Sequence, residues 1–389
     1  MAAAQQLGDQ LSEVNALCDL GSVRRLTHDY QSAVRAYENA LEISRALGDR
    51  PGEANALSGL GGVLHVMNDH QAAALAQEQA LNICGELGDR FGQGKILNAL
   101  GQTRYMCGDY PAAAQAQQEA LGICRESDDR LGQARALMCL AEVLLMTGEY
   151  PAALLAVKES LRINRELGDR LGQAQALLCL ADVQLRTRAY PAAAQALEET
   201  LSISRDLGNR LGQANTLILL GGLRQQTGDY PGALSDLEES LRIALEIGYP
   251  VGRGNALLHL GSVRRLTGDH LRAAQELDQA LDIYRGTDDR SGAAEALNER
   301  GALHRVCAEP AAARDCHQRS LELSREIASP WDEAHALAGL GRCALAEDDA
   351  QRGEALLRQA LEIFQRMRAP EAQDVLSELN ALTRPRPAR

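Results

Sequence analysis

The chain has 389 residues and a formal net charge of −13, from 40 basic and 53 acidic side chains. That balance opposes the counterion-release binding by which basic proteins hold a phosphate backbone, and an aromatic content of 3% leaves few rings on which bases could stack. No apolar run approaches the roughly 20 residues needed to span a bilayer, so neither nucleic acid nor membrane is expected as a partner.

The opening MAAAQQLGDQ lacks the basic region and apolar core of a signal peptide. Its QQLGDQ portion matches the wording that closes later units. Residues 1–10 therefore read as the remnant of a preceding repeat, in a longer array or a larger protein, or as a frayed N-terminus. From Leu11 the sequence repeats every 40 residues without insertion, in nine units that begin at Leu11, Pro51, Phe91, Leu131, Leu171, Leu211, Val251, Ser291 and Trp331. The ninth ends at Pro370. The stretch YPAALLAVKESLRINRELGDRLGQA (Tyr150–Ala174) shows the pattern. Each unit has two apolar patterns of helical period, separated by a TGDYP-like turn and closed by LGDR, which predicts a helix hairpin.

Within a unit, the seventh position is Leu in all nine copies and the tenth is Leu in all but one, Arg300. The eleventh is always small, from Gly21 to Gly341, with Ala141 and Ala181 as the two alanines. Positions 7, 10, 11 and 14 share one helix face. A recurring Gly there costs up to ~1 kcal/mol against Ala, so it implies close approach of a partner helix. In the turn, Gly108, Gly148, Gly228 and Gly268 suit a left-handed cap. Asp109, Asp229 and Asp269 then cap the second helix, with Glu149 a poorer substitute. Pro at 111, 151, 191 and 231 fits the first turn. Unit 8 departs most: Arg300 replaces the apolar residue, CAEP replaces TGDY, and His317 stands where Leu197, Leu237 and Leu277 stand. After the array, PEAQDVLSELNAL predicts a capping helix over 371–382 with Val375, Leu376, Leu379 and Leu382 on one face. Residues 383–389 read as a disordered tail.

The search for chemistry is empty. No phosphate-binding loop, zincin motif or nucleophile elbow occurs. The Gly-rich GLGGV at Gly59 lies in mid-helix, where packing explains it. The eight histidines are dispersed, and the nine cysteines include no C-x-x-C pair; they read as free structural thiols of a cytoplasmic protein. No catalytic, cofactor-binding or metal-ligating residue is assigned, and the chain is not expected to be an enzyme.

The Leu–Gly pair at positions 10–11, Tyr at 20, Ala at 23 and Ala or Ser at 30 resemble the tetratricopeptide repeat. Leu at position 7, where that family favours Trp, and the longer period mark a variant. It is similar to kinesin light chain and the Leu-Gly-Asn repeat proteins. It is similar also to C-terminal arrays of bacterial signal-transduction ATPases and antibiotic-pathway transcription regulators. The resemblance implies an all-α, right-handed superhelical solenoid of nine helix hairpins plus a C-terminal capping helix. Its concave face would be lined by positions 5, 8, 9, 12 and 15 of the first helices. The candidate partner-binding residues are accordingly Asn15, Asn55, Asn98, Tyr105, Arg135, Met138, Glu142, Gln175, Leu178, Asp182, Asn215, Ile218, Asn255, His259 and Arg265. The expected partner is a protein or peptide segment with apolar anchors and flanking charges, or another domain of a longer signalling protein.

Overall fold

The computed structural model describes residues 2–367 and 369–383. The described residues form helices and no strand. They divide into two bodies, residues 1–203 and 204–389. The N-terminal body holds α1 (Ala2–Leu26), α2 (Tyr30–Leu47), α3 (Arg50–Val66), α4 (His70–Leu87), α5 (Arg90–Met106), α6 (Tyr110–Glu126), α7 (Arg130–Met146), α8 (Tyr150–Leu167) and α9 (Arg170–Arg186). The boundary falls inside α10 (Tyr190–Asp206). The C-terminal body continues with α11 (Arg210–Thr227), α12 (Tyr230–Glu246), α13 (Pro250–Thr267), α14 (His270–Thr287), α15 (Arg290–Val306), α16 (Pro310–Glu326), α17 (Pro330–Ala346), α18 (Ala350–Arg366) and α19 (Glu371–Thr383).

The turn chemistry is as the sequence dictates. Asp29, Asp109, Asp229 and Asp269 each accept a hydrogen bond from the backbone N–H three residues on, whereas Glu149 makes no such bond. Gly108 and Gly148 hold φ of 76° and 80°. Ala308 takes the same turn position in unit 8 at φ 60°, a conformation that costs an L-residue about 1–2 kcal/mol. At the N-terminus Gly8–Asp9 does not break the chain. It lies within α1, and Ser12 Oγ donates to the Gly8 carbonyl.

In each body the first helix of a unit packs on its own second helix, and that second helix packs on the next unit's first helix. First helices also touch each other, as α5 with α7 and α15 with α17, so they form an inner layer. Sandwiched on several sides, they bury a wide arc. Positions 4, 6, 7, 11 and 13 are buried in most units, as with Ala134, Ala136, Leu137, Ala141 and Val143 at 5% exposure or less. Position 14 is mixed: Leu64 and Leu144 are half-buried, whereas Arg104 pairs with Glu78 at 2.9 Å and Arg224 with Asp236 at 2.7 Å. The capping helix is present. Val375 and Leu379 bury against Leu357 and Phe364, while Leu376 and Leu382 flank that face at 41% and 44% exposure. Thr383 belongs to α19, and residues 384–389 of the expected tail lie outside the described residues.

The small residue at position 11 has a structural cause. A second-helix side chain, at position 27, lies across it. A Cβ added at Gly221, Gly261 or Gly341 would sit 2.5, 2.7 and 2.9 Å from Leu237, Leu277 and Leu357. Where position 27 holds a ring, the next first helix also gives way. Tyr37 is held between Gly21 and Gly59, and His317 between Gly301 and Gly339. A Cβ at Gly339 would lie 2.4 Å from the imidazole. Overpacking of this kind costs about 1–3 kcal/mol. Gly339→Ala is therefore expected to destabilise the C-terminal body by that amount, and adding His317→Leu should recover most of it. A double-mutant cycle by urea denaturation checks the coupling; additive effects would contradict it.

Candidate functional site

The inner layer of the N-terminal body holds a mixed apolar and acidic patch. Met138, Leu178, Tyr105, Glu142 and Asp182 are all half-buried. Gln102 Nε2 donates to Cys139 Sγ at 3.2 Å, tying α5 to α7. Burial pushes the Glu142 carboxyl above its usual range. The Tyr105 phenol is raised by burial first, then by Glu142, Tyr110, Cys179 and Asp182. Burial and then Glu142 push the thiol of Cys179 up to about 12, and the same two causes push Cys139 up to about 12, which makes both poor nucleophiles.

The remaining candidates divide by environment. Asn15, Asn55, Arg135, Gln175 and Asn215 are exposed. Asn98 serves as a brace: its side chain donates to the Gly132 carbonyl of the next unit at 3.3 Å, and its backbone carbonyl accepts from the Gln117 side chain at 2.9 Å. Asn255 already accepts the Tyr284 hydroxyl at 2.8 Å. His259 is half-buried, and burial lowers its pKa. Ile218 is a correction to the expected site. It is 8% exposed and packs with Ala233, Leu237, Ala256 and Leu260, so it is core rather than free groove surface. Its exposed neighbour is Leu219, at 43%.

Sequence reasoning missed a polar pocket in the C-terminal body. It has a volume of about 230 Å³ and is lined by Arg265, Asn298, Glu299, Arg305, His317, His335 and Arg342, with Ala302 and Gly339. Two of its arginines have carboxylate partners: Arg265 with Glu299 at 3.0 Å, and Arg342 with Glu378 at 2.7 Å. Arg305 has no carboxylate in ion-pair range among the described residues, and its Nε is buried without a partner. His317 is 3% exposed, and its Nε2 is likewise unpartnered. The available signal was the pair Gly301 and Gly339, which opens a slot only a ring would need.

A larger cavity, about 770 Å³, lies between the second helices α4 and α6. It exists because Gly85 and Gly122 stand where Arg125 and Arg162 stand in the units that follow. Its polar walls are already satisfied: Arg90 pairs with Glu126 at 2.7 Å, and Gln93 donates to the Cys84 carbonyl at 3.2 Å. Unmet hydrogen-bonding capacity therefore favours the smaller pocket as a ligand site.

A tetratricopeptide repeat profile matches residues 12–86, 92–166, 172–246 and 212–286. The chain belongs to the tetratricopeptide repeat family. Similar solved structures include the apo form of the quorum sensor NprR from B. thuringiensis, 13% identical over 91% of this chain and 99% of that one, with a TM-score of 0.68. A Rap protein complexed with competence and sporulation factor is 13% identical over 95% of this chain and 99% of that one, with a TM-score of 0.60. A signal transduction ATPase with numerous domains and a tetratricopeptide repeat sensor, from Pyrococcus horikoshii, is 13% identical over 90% of this chain and 54% of that one, with a TM-score of 0.54. At these identities the likeness is one of fold. A search of curated proteins finds no match. Among the described residues no helix is long and apolar enough to cross a membrane.

Proposed function

We propose that the protein is a non-enzymatic scaffold that holds a protein or peptide segment on the inner face formed by its first helices. The observation that carries this reading is the contrast, in the N-terminal body, between the constant packing Leu of position 7 and the variable half-buried residues of position 8. Leu stands at position 7 in all nine units, while position 8 runs through Cys18, Ser58, Asn98, Met138 and Leu178. Variation at half-buried groove positions beside a constant packing position supports diversification for recognition. Met138 and Leu178 offer apolar area for anchors, and Arg135, Glu142 and Asp182 select flanking charge. Burying an anchor contributes about 1.5–3 kcal/mol before ordering costs. The Rap protein solved with competence and sporulation factor supports the reading by fold.

Selection of a displayed random-peptide library on the full chain tests this. Enriched peptides should carry spaced apolar residues with adjacent charges, and Leu178→Asp should weaken them at least tenfold with helical content unchanged. Gly85→Arg fills the outer cavity, because a side chain there meets only Gln93 at 4.0 Å, and should leave binding intact. The opposite pattern would place recognition on the second helices.

A second reading makes the array the sensory or regulatory part of a larger bacterial signalling ATPase or transcription regulator. The ATPase chain from Pyrococcus horikoshii, with its repeat sensor, supports it by fold. A nucleotide-binding or DNA-binding domain in the same reading frame would favour it.

A further inference from the structure

The geometry points to an oxyanion site: Arg305 and His317, on the inner face of the C-terminal body, receive a carboxylate or phosphate group. This deepens the scaffold reading, since the group would be presented by the bound partner, but the pocket can be tested without that partner.

Three features combine. First, the pocket's charge is not balanced internally. Glu299 and Glu378 pair with Arg265 and Arg342, His304 turns away to Glu309 at 2.5 Å, and Arg305 is left alone among the described residues. An unpaired guanidinium in a half-buried position loses hydration without compensation; burial and then Arg342 lower its pKa accordingly. Second, the guanidinium fork suits a planar or tetrahedral oxyanion. Third, His317 is fixed as the second contact. Asn298 Nδ2 donates to the Asp332 carbonyl at 3.3 Å, which turns its Oδ1 toward the imidazole. His317 Nδ1 then donates to that oxygen at 3.2 Å. Nε2 lines the cavity with no partner. The glycine slot holds the ring in this orientation.

Without an anion Nε2 presents a lone pair. An anion beside it draws a proton from solvent onto Nε2, which then donates to the oxyanion. The groups facing this step are Arg305 and His304 on α15, Arg342 and His335 on α17, and, across the cavity, Arg265 and Glu299. With cations in excess, the bare imidazolium is disfavoured. The anion removes that opposition, so binding takes up a proton and tightens as pH falls from 7 to 5.5.

The test records imidazole ¹⁵N signals of the full chain while sodium phosphate or sodium acetate replaces chloride at constant ionic strength. His317 is assigned by the signal missing in His317→Leu. We expect a saturable shift of the His317 signals, tighter at pH 5.5 than at 7, and at least tenfold weaker in Arg305→Gln. Saturation by phosphate alone identifies a phosphorylated group as the source, saturation by acetate alone identifies a carboxylate, and saturation by both supports a site that takes either oxyanion. No saturable shift with either anion overturns the proposal, whether or not the variant folds. An affinity unchanged by Arg305→Gln in a folded variant overturns it too. A silent pocket with peptide capture intact would leave the scaffold reading standing.

Discussion

Ile218→Asp unfolds the C-terminal body, whereas Leu178→Asp, one unit earlier at the same repeat position, leaves the helices formed. Ile218 is 8% exposed and its side chain meets Leu237 and Leu260. A carboxylate there has no cation to pair with in that cluster. Burying it, with the loss of apolar contacts, costs about 4 kcal/mol or more. Leu178 is half-buried and can send a carboxylate to solvent, at about 1–2 kcal/mol. Urea denaturation followed by circular dichroism distinguishes them. Equal losses would show that both side chains are core, and two folded variants would show that Ile218 is groove surface after all.

Acid destabilises the C-terminal body through His317. Burial, then Arg305 and Arg342, hold its pKa down to about 3 in the folded state against an ordinary 6.5. Between those values the unfolded chain takes up a proton that the folded chain does not. Stability from this group is therefore complete above pH 6.5 and falls as pH drops toward 3. The slope is about 1.4 kcal/mol per pH unit. His335, lowered to about 4 by burial, acts in the same sense. Glu276 and Glu295, each pushed up to about 7 by burial first, act oppositely between pH 7 and their ordinary 4.5. The share of His317 is read as the difference between wild type and His317→Leu in urea midpoints at pH 7 and pH 5. The variant should lose less stability on acidification, by about 2 kcal/mol. Parallel losses would show that His317 titrates normally.

The repeat length, hairpins, caps and turn glycines were legible because each depends on residues close in sequence. Asp109 and Gly108 act on their own turn, so local chemistry determines them. The capping helix was legible as an element, but which of its leucines face inward was not. Position 8 was not legible at all as a burial class. Met138 is half-buried and Leu258 is 2% exposed at the same helical phase. The difference lies in what neighbouring units place against them, which one unit's periodicity does not encode. Position 14 is mixed for a related reason. Positions 13 and 14 are adjacent, and in the units with Arg at position 14 the stem lies along a helix packed on several sides while the guanidinium finds an acid. The pocket around His317 needed the most distant information. Its arginines come from three successive first helices and its imidazole from a second helix, so the sequence marked His317 only as an oddity of unit 8.

The central claim is that the peptide lies on first helices of the N-terminal body, with the outer cavity between α4 and α6 playing no part. Hydrogen–deuterium exchange of the full chain, with and without a peptide selected on it, tests this most directly. Added protection is expected in α7 and α9, where Met138, Glu142, Leu178 and Asp182 stand, with α4 and α6 unchanged. Protection confined to α4 and α6, around the outer cavity at Gly85 and Gly122, would contradict it.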